Sequence, residues 1–328
     1  MLPFLLRRTL AATLSLPQLL TSAKTFEENF LIGSRRLNRF GLHGARVRLA
    51  HRVAALRRRK LAHRIAPEDL EAFERDGFVV RRNFLPPREF ADLKAEIAAY
   101  HCRVREKFEG GTKLRKIRVS QAVIAANPAL GRLLNHPDWR GLIRYVGAYD
   151  GDPTVFLESV LRHYREGDLD PQTLLHADTF HPTAKAWLYL TDVPEDGGPL
   201  VYVPGSHRLT PERLAWEEAM SLEAASSANR EIREGSFRIE PAALPRLKLP
   251  KPRALSVPAN TLVVADTFGF HARGPSPAPS VRVDLWGIAK RTPFLPWAFL
   301  DAPIAGVWMR GDDHDWQLRD GVSAFDPD

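Results

Sequence analysis

Downstream of Asp152 the chain reads as short stretches in which apolar and polar residues trade places. TVFLESVLRHY at 154–164, AKAWLYLTDV at 184–193, PLVYVPGSH at 199–207, NTLVVADTF at 260–268 and SVRVDLWGIAK at 280–290 are separated by segments rich in Pro, Gly and Asp. Residues two apart in a strand share a face, so this alternation predicts a series of short strands, and such a series predicts a β-sandwich or jelly roll. Upstream the period lengthens. Residues 67–100 predict a helix, a short strand at Gly77 to Arg81, a break at Pro86-Pro87, and a second helix from near Arg88 with Phe90, Leu93 and Ile97 on one face. Pro128 to Ala148 predicts more helix, interrupted at Pro137, and Thr210 to Ser227 predicts a helix with Thr210 as N-cap and Pro211 at its first position. With the basic, proline-rich stretch up to Pro258, that last helix forms an insertion at about 208–258, long enough to cover the mouth of a site.

Charge divides the chain where hydropathy does not. Residues 1–64 hold fourteen Lys/Arg against Glu27 and Glu28, a net of +12, whereas the rest holds 33 basic and 37 acidic residues, a net of −4. The expected organisation is therefore a basic arm over 1–66, a core domain over 67–300 and a tail over 301–328. Within the arm, RVRLAHRVAALRRRKLAHRI places Leu49, Val53, Leu56 and Leu61 near helical spacing among arginines, a basic amphipathic helix. Three uses are open to such a helix: packing on its own core, lying on an anionic membrane surface, or binding nucleic acid. No aromatic residue is interleaved to stack on bases, so nucleic acid is the least favoured. The opening apolar run is broken by Arg7, Arg8 and Pro17, too short to span a bilayer, and the sequence around the arginine pair is a poor export signal. A single cysteine, Cys102, excludes an intramolecular disulfide and a cysteine-built metal site. The expectation is a cytoplasmic protein, with the inner face of the membrane as a second location if the arm binds lipid.

Four dispersed polar residues carry the chemistry: His176 and Asp178 in LLHADTF, His271 in FGFHARG, and Arg282 in SVRVDLWG. Two imidazoles and one carboxylate form the donor set of an open-faced non-haem iron site, and an arginine eleven residues past the second histidine suits a dicarboxylate. A histidine and an aspartate with one residue between them are common by chance, and it is the later pair that gives them weight. Arg282 stands in an otherwise apolar strand, where an unpaired guanidinium is costly. Glu158 and Arg162 lie four apart on one strand face, placed either to meet a ligand or to pair with each other. His181 and His207 read as structural histidines, and His163 has no partner pattern.

In FERDGFVVRRNFLPPREFADLKAEI at 73–97, His-Ala-Asp at 176–178, WLYLTDVPEDGGPLVYVPGSH at 187–207, His271 and Arg282, the chain resembles the phytanoyl-CoA dioxygenase-like branch of the iron(II)/2-oxoglutarate oxygenases. The likeness covers most of 67–290 and none of the arm. It implies a double-stranded β-helix with flanking helices, in which His176, Asp178 and His271 bind Fe(II), Arg282 pairs with the distal carboxylate of 2-oxoglutarate and Trp187 lies beside that cosubstrate. It also implies that O2 is consumed, 2-oxoglutarate is decarboxylated to succinate, and a small-molecule or lipid-like substrate is hydroxylated. Because Asp178 keeps its carboxylate, halogenation is not expected. Two positions depart from the family's habit: Arg273 stands where some members have a cosubstrate-contacting serine, and Ala177 where glutamine is frequent. The rival expectation is a metal-binding jelly-roll scaffold without turnover, against which Arg282 speaks, since a metal store needs no dicarboxylate clamp.

Overall fold

A computed structural model describes residues 16–162, 170–290, 292–294 and 316–326. The strands, in chain order, are β1 (Phe78–Arg81), β2 (Cys102–Glu109), β3 (Thr112–Arg118), β4 (Thr154–Arg162), β5 (Ala184–Tyr189), β6 (Leu200–Tyr202), β7 (Arg253–Leu255), β8 (Thr261–Asp266), β9 (His271–Arg273), β10 (Ser280–Ala289) and β11 (Gln317–Val322). They form two antiparallel sheets, a large one in the order β1-β8-β5-β10-β4-β3-β2-β11 and a small one in the order β7-β6-β9. This is the jelly roll the alternation predicts, and its helices flank the large sheet.

Parity along the strands decides what each face does. Ala184, Ala186 and Leu188 of β5, Leu262 and Val264 of β8, Val283 and Leu285 of β10, and Val155 and Leu157 of β4 point to the outer face. There they join one apolar cluster with Leu93 and Ile97 of the Pro87–Ala99 helix and Trp139, Leu142, Ile143 and Val146 of the Pro137–Val146 helix. The residues between them face the small sheet. Near β1 and β8 that inner face is still apolar, with Phe78, Val263, Ala265, Tyr189 and Tyr202 in contact. Across β10, β4, β3 and β2 it turns polar.

The β2–β3 hairpin was not anticipated, because its alternation sets charged against apolar residues without a long apolar run; Gly110-Gly111, a two-residue hairpin turn, is the signal that could have found it. β11 lies in the expected tail and pairs with β2. The N-terminal apolar run with Arg7 and Arg8, His163, and residues 301–315 of the tail lie outside the described residues.

Residues 16–64 pack against the domain. Arg58 reaches the buried Asp266 at the end of β8 at 2.8 Å and lies 4.6 Å above the ring of Phe73. The Leu42–Leu61 helix, however, buries a different stripe from the one its leucines suggest. His43, Arg46, Val47, Ala50, Ala54 and Leu61 face inward, whereas Leu49 and Leu56 are 44% and 55% exposed. Small side chains let the helix approach closely. Of the two large polar groups it buries, His43 pairs with Glu217, and Arg46 donates through Nε and Nη2 to the carbonyls of Leu19, Thr21 and Ala23. The 208–258 insertion begins as expected, with the Thr210 hydroxyl accepting from Arg213 N ahead of the Pro211–Glu223 helix. It packs against the N-terminal helix through the buried His43–Glu217 pair (3.0 Å), and Arg213 donates to Phe268 O and Ser206 O. None of it lines the cavity described next.

Candidate metal and cosubstrate site

Between the two sheets lies a cavity of about 250 Å³ whose wall includes His176 and His271 on one side and Tyr189, Arg282 and Glu158 among the inner-face residues. Sequence separation is erased by pairing. The segment carrying His176 is extended without belonging to a named strand, and it bridges directly to β9: His176 N donates to His271 O and His271 N to His176 O, both at 2.9 Å. Asp178 N donates to Thr267 O, which sets the carboxylate beside the two rings.

The donor atoms of His176, Asp178 and His271 lie within 4.8 Å of one another. Each histidine Nε2 is 3.7 Å from Asp178 Oδ1, and the ring centroids are 4.4 Å apart. A carbonyl can only accept, so Nδ1 of His176, 2.7 Å from Leu174 O, and Nδ1 of His271, 2.9 Å from Gly269 O, carry the protons. That assignment leaves both Nε2 lone pairs aimed at the aspartate, the second-sphere arrangement that orients metal-binding imidazoles. Nε2 of His271 is buried without a hydrogen-bond partner. Burial, and for His176 the neighbouring His271, pushes the imidazoles down, His271 to about 4 and His176 well below its ordinary value, so both stay neutral as ligands must. Burial alone would raise Asp178, but Lys185, with Nζ 2.8 Å from Oδ2, holds it well below the carboxylate range. Two neutral imidazoles and one ionised carboxylate on one side of a cavity fit a divalent cation with coordination positions left open.

At Arg282 the geometry is of a different kind. The side chain is 7% exposed on β10; Nη1 donates to Gly198 O at 2.9 Å and Nε to Asp284 Oδ2 at 3.0 Å. Nη2 has only a 3.9 Å approach to Glu158 Oε1, so that edge of the fork is the less engaged one. Burial holds the Asp284 carboxyl well above its ordinary range. Glu158 is buried and pairs with Lys116 at 2.8 Å, and Lys116 lies 3.8 Å over the Trp286 ring. The two residues read together from sequence therefore separate: Glu158 faces the cavity, while Arg162 pairs with Asp170 at 3.0 Å. Trp187 lines the cavity and stands opposite Trp286 in the β5–β10 register.

Arg273, the departure from the family habit, is drawn to Asp170, which also accepts from Thr112 and Arg162. His181 and His207 are buried, outside the cavity lining, as structural histidines should be. Sequence reading missed Lys185 and Lys24. The first had a signal: a lysine two residues before Trp187 occupies an inner-face position of an otherwise apolar strand. The second had none, because Lys24 Nζ reaches Asp178 O, at 2.7 Å, across 154 residues of chain.

The family model for phytanoyl-CoA dioxygenase (PhyH) matches residues 73–243, a span that holds His176, Asp178 and Trp187 and stops short of His271 and Arg282. Ectoine dioxygenase of Bordetella bronchiseptica is 28% identical over 165 residues, covering 45% of this chain and 52% of the relative, and the enzyme of the same name from Bordetella parapertussis gives the same figures. The chain thus spans about half the length of the curated relatives it matches. Among solved structures, the epimerase SnoN in complex with Fe3+, alpha ketoglutarate and nogalamycin RO is 19% identical with a TM-score of 0.45, covering 78% of this chain and 94% of that one. HygX from Streptomyces hygroscopicus, with nickel and 2-oxoglutarate bound, is 17% identical with a TM-score of 0.42, covering 69% and 87%.

Proposed function

Because the chain belongs to the phytanoyl-CoA dioxygenase family, we propose that it is an iron(II)/2-oxoglutarate-dependent dioxygenase that hydroxylates a small organic molecule. The balance is one substrate C–H, one 2-oxoglutarate and one O2 converted to one C–OH, one succinate and one CO2. The observation that carries this reading is the pair of imidazole Nε2 atoms facing one carboxylate oxygen, that of His271 buried without a partner, in a cavity that also holds the Arg282 guanidinium.

Iron(II), when bound, supplies the activation of O2 that no side chain can provide. His176, Asp178 and His271 would hold it, with Asp178 Oδ1 facing both Nε2 atoms and Oδ2 in an ion pair with Lys185. Arg282 orients the cosubstrate by its distal carboxylate, with a planar fork matched to two oxygens. Trp187 and Tyr189 keep water from that end of the cavity. Arg282 also separates this reading from a metal-binding scaffold, which has no use for a buried cation beside its metal.

Anaerobic addition of Fe(II) and then 2-oxoglutarate tests the assignment. The wild type develops the weak visible charge-transfer band of the chelate and His176→Ala does not. A wild type that binds Fe(II) yet gives no band with 2-oxoglutarate leaves the scaffold in possession. Substrate-stimulated succinate release across a small-molecule panel then identifies what is oxidised.

The N-terminal residues keep a second use. Arg46 and Arg58 are consumed by the fold, while Leu49, Leu56, Arg52, Arg59 and Lys60 face outward, a stripe suited to an anionic bilayer. No helix among the described residues is long and apolar enough to cross a membrane. Flotation with phosphatidylserine vesicles tests the contact, which Leu49→Asp/Leu56→Asp abolishes if this stripe makes it; equal flotation of both proteins, or none by the wild type, rejects it.

A further inference from the structure

The His176–Asp178 triplet has a partner for every backbone polar group. His176 exchanges both its bonds with His271; Ala177 N donates to Phe237 O and Ala177 O accepts from the Ser236 hydroxyl; Asp178 N donates to Thr267 O. The last group, the Asp178 carbonyl, accepts from Lys24 Nζ at 2.7 Å. That residue lies in the N-terminal segment, outside the 73–243 span that the family model matches.

Lys24 is itself held. Arg46 gathers the carbonyls of Leu19, Thr21 and Ala23 just before it, and lies 4.3 Å over the Phe180 ring. Phe26 N donates to Arg233 O, and its ring packs on His43 and Phe237. Gly235, at φ +81°, has no side chain where the Lys24 carbonyl comes in; a Cβ there would stand 2.2 Å from that oxygen. A neutral donor or a water would satisfy a carbonyl at less desolvation cost than an ammonium. Lys24 and Lys185 thus grip Asp178 from two sides, one at the peptide and one at carboxylate Oδ2.

We propose that Lys24 is a positioning residue of the metal centre, fixing the Asp178 peptide so that Oδ1 points between the two Nε2 atoms, which makes the N-terminal segment part of the site. The inference rests on the metal-site reading above. It differs from a purely structural role, in which Lys24 only docks the segment and the metal is indifferent to it.

Co(II) titration of the full chain, followed by its visible d–d absorption, separates the two, alongside Tm of the metal-free protein. The wild type binds one Co(II), and His176→Ala sets the baseline. Lys24→Met weakens Co(II) binding by roughly 10–100-fold and alters the band shape, the usual cost of removing a second-sphere partner, while Lys24→Arg recovers most of both. If Lys24→Met lowers the metal-free Tm but keeps wild-type affinity and spectrum, or changes nothing, the positioning role is wrong. If Lys24→Met does not fold, Lys24→Asn, polar but two bonds too short to reach the Asp178 carbonyl, carries the same test: weakened Co(II) binding with an altered spectrum supports the proposal, and wild-type values overturn it. A wild type that does not take up Co(II) overturns the metal-site reading instead.

Discussion

Strand β10 has two faces made of alternate residues, and they obey opposite rules. Val283, Leu285 and Ala289 point outward and are buried among aliphatic and aromatic side chains of the flanking helices. Arg282, Asp284, Trp286 and Ile288 point inward, where Arg282 and Asp284 are just as buried but paired with each other and with Glu158 and Gly198 O. The outer face gains free energy from area removed from water, in proportion to size and with little regard to direction. The inner face gains little net stability, since desolvation offsets most of what the ion pairs return, and what it keeps is orientation. One strand therefore serves as core on one side and as instrument on the other, and a substitution should be felt according to its parity.

The largest effect expected is on the outer face. Leu285→Ala should cost about 2–5 kcal/mol, read by denaturant melts, because Leu285 is fully buried and its neighbours cannot close the gap. The folded fraction should still form the Fe(II)·2-oxoglutarate chelate with unchanged affinity. On the inner face, three residues away, Arg282→Met should weaken 2-oxoglutarate binding by roughly 10–100-fold, in line with losing one charged, directional partner, with Fe(II) affinity unmoved. Its stability should carry a pH signature. Burial already raises the Asp284 carboxyl, so stability is lost as pH climbs from the unfolded carboxylate range toward the folded value. Without Arg282 that value rises further, so the variant should keep losing Tm at alkaline pH after the wild type has levelled off. Equal pH profiles would mean that Arg282 and Asp284 are not energetically coupled, and the contrast between the faces would fail.

How much of this could be read beforehand follows the same division. The strands of the outer core, the Thr210 cap and the break at Pro137 were legible because local chemistry decides them. The residues His176, Asp178, His271 and Arg282 were legible as types in an order, and the structure brings the three donors within reach of one cation. What stayed hidden is made by residues far apart in the chain. Strand parity put Glu158 and Arg162 on one face, to meet a ligand or to pair with each other, but the neighbouring strand β3 supplies Lys116 to Glu158 and the Asp170 segment takes Arg162. The β2–β3 hairpin hid because its inner face carries Lys107, Glu109 and Lys116, so a polar lining looked like a polar loop. Lys24 and Arg46 looked like members of a solvated basic arm, whereas both spend their donors on carbonyls of the fold.

The Leu42–Leu61 helix tests the two-face logic where the effects are smallest. Leucine spacing chose Leu49, Val53, Leu56 and Leu61 as the packed stripe, and the structure buries Val47, Ala50 and Ala54 instead, with only Leu61 shared. A large apolar residue on a helix is not bound to face inward when small ones on the other side let the backbone approach its support. At Ala54, 5% exposed, there is no room for three more heavy atoms, so Ala54→Leu should cost about 1–3 kcal/mol by overpacking. Leu56→Ser, 55% exposed in the wild type, should change stability by less than about 0.5 kcal/mol, as surface substitutions do. Paired urea melts of the two variants decide the matter: if Leu56→Ser is the costlier change, the leucine stripe is the buried one and the observed docking of this helix is wrong. If Ala54→Leu is costlier, the outward leucines are free for whatever the helix meets beyond its own domain.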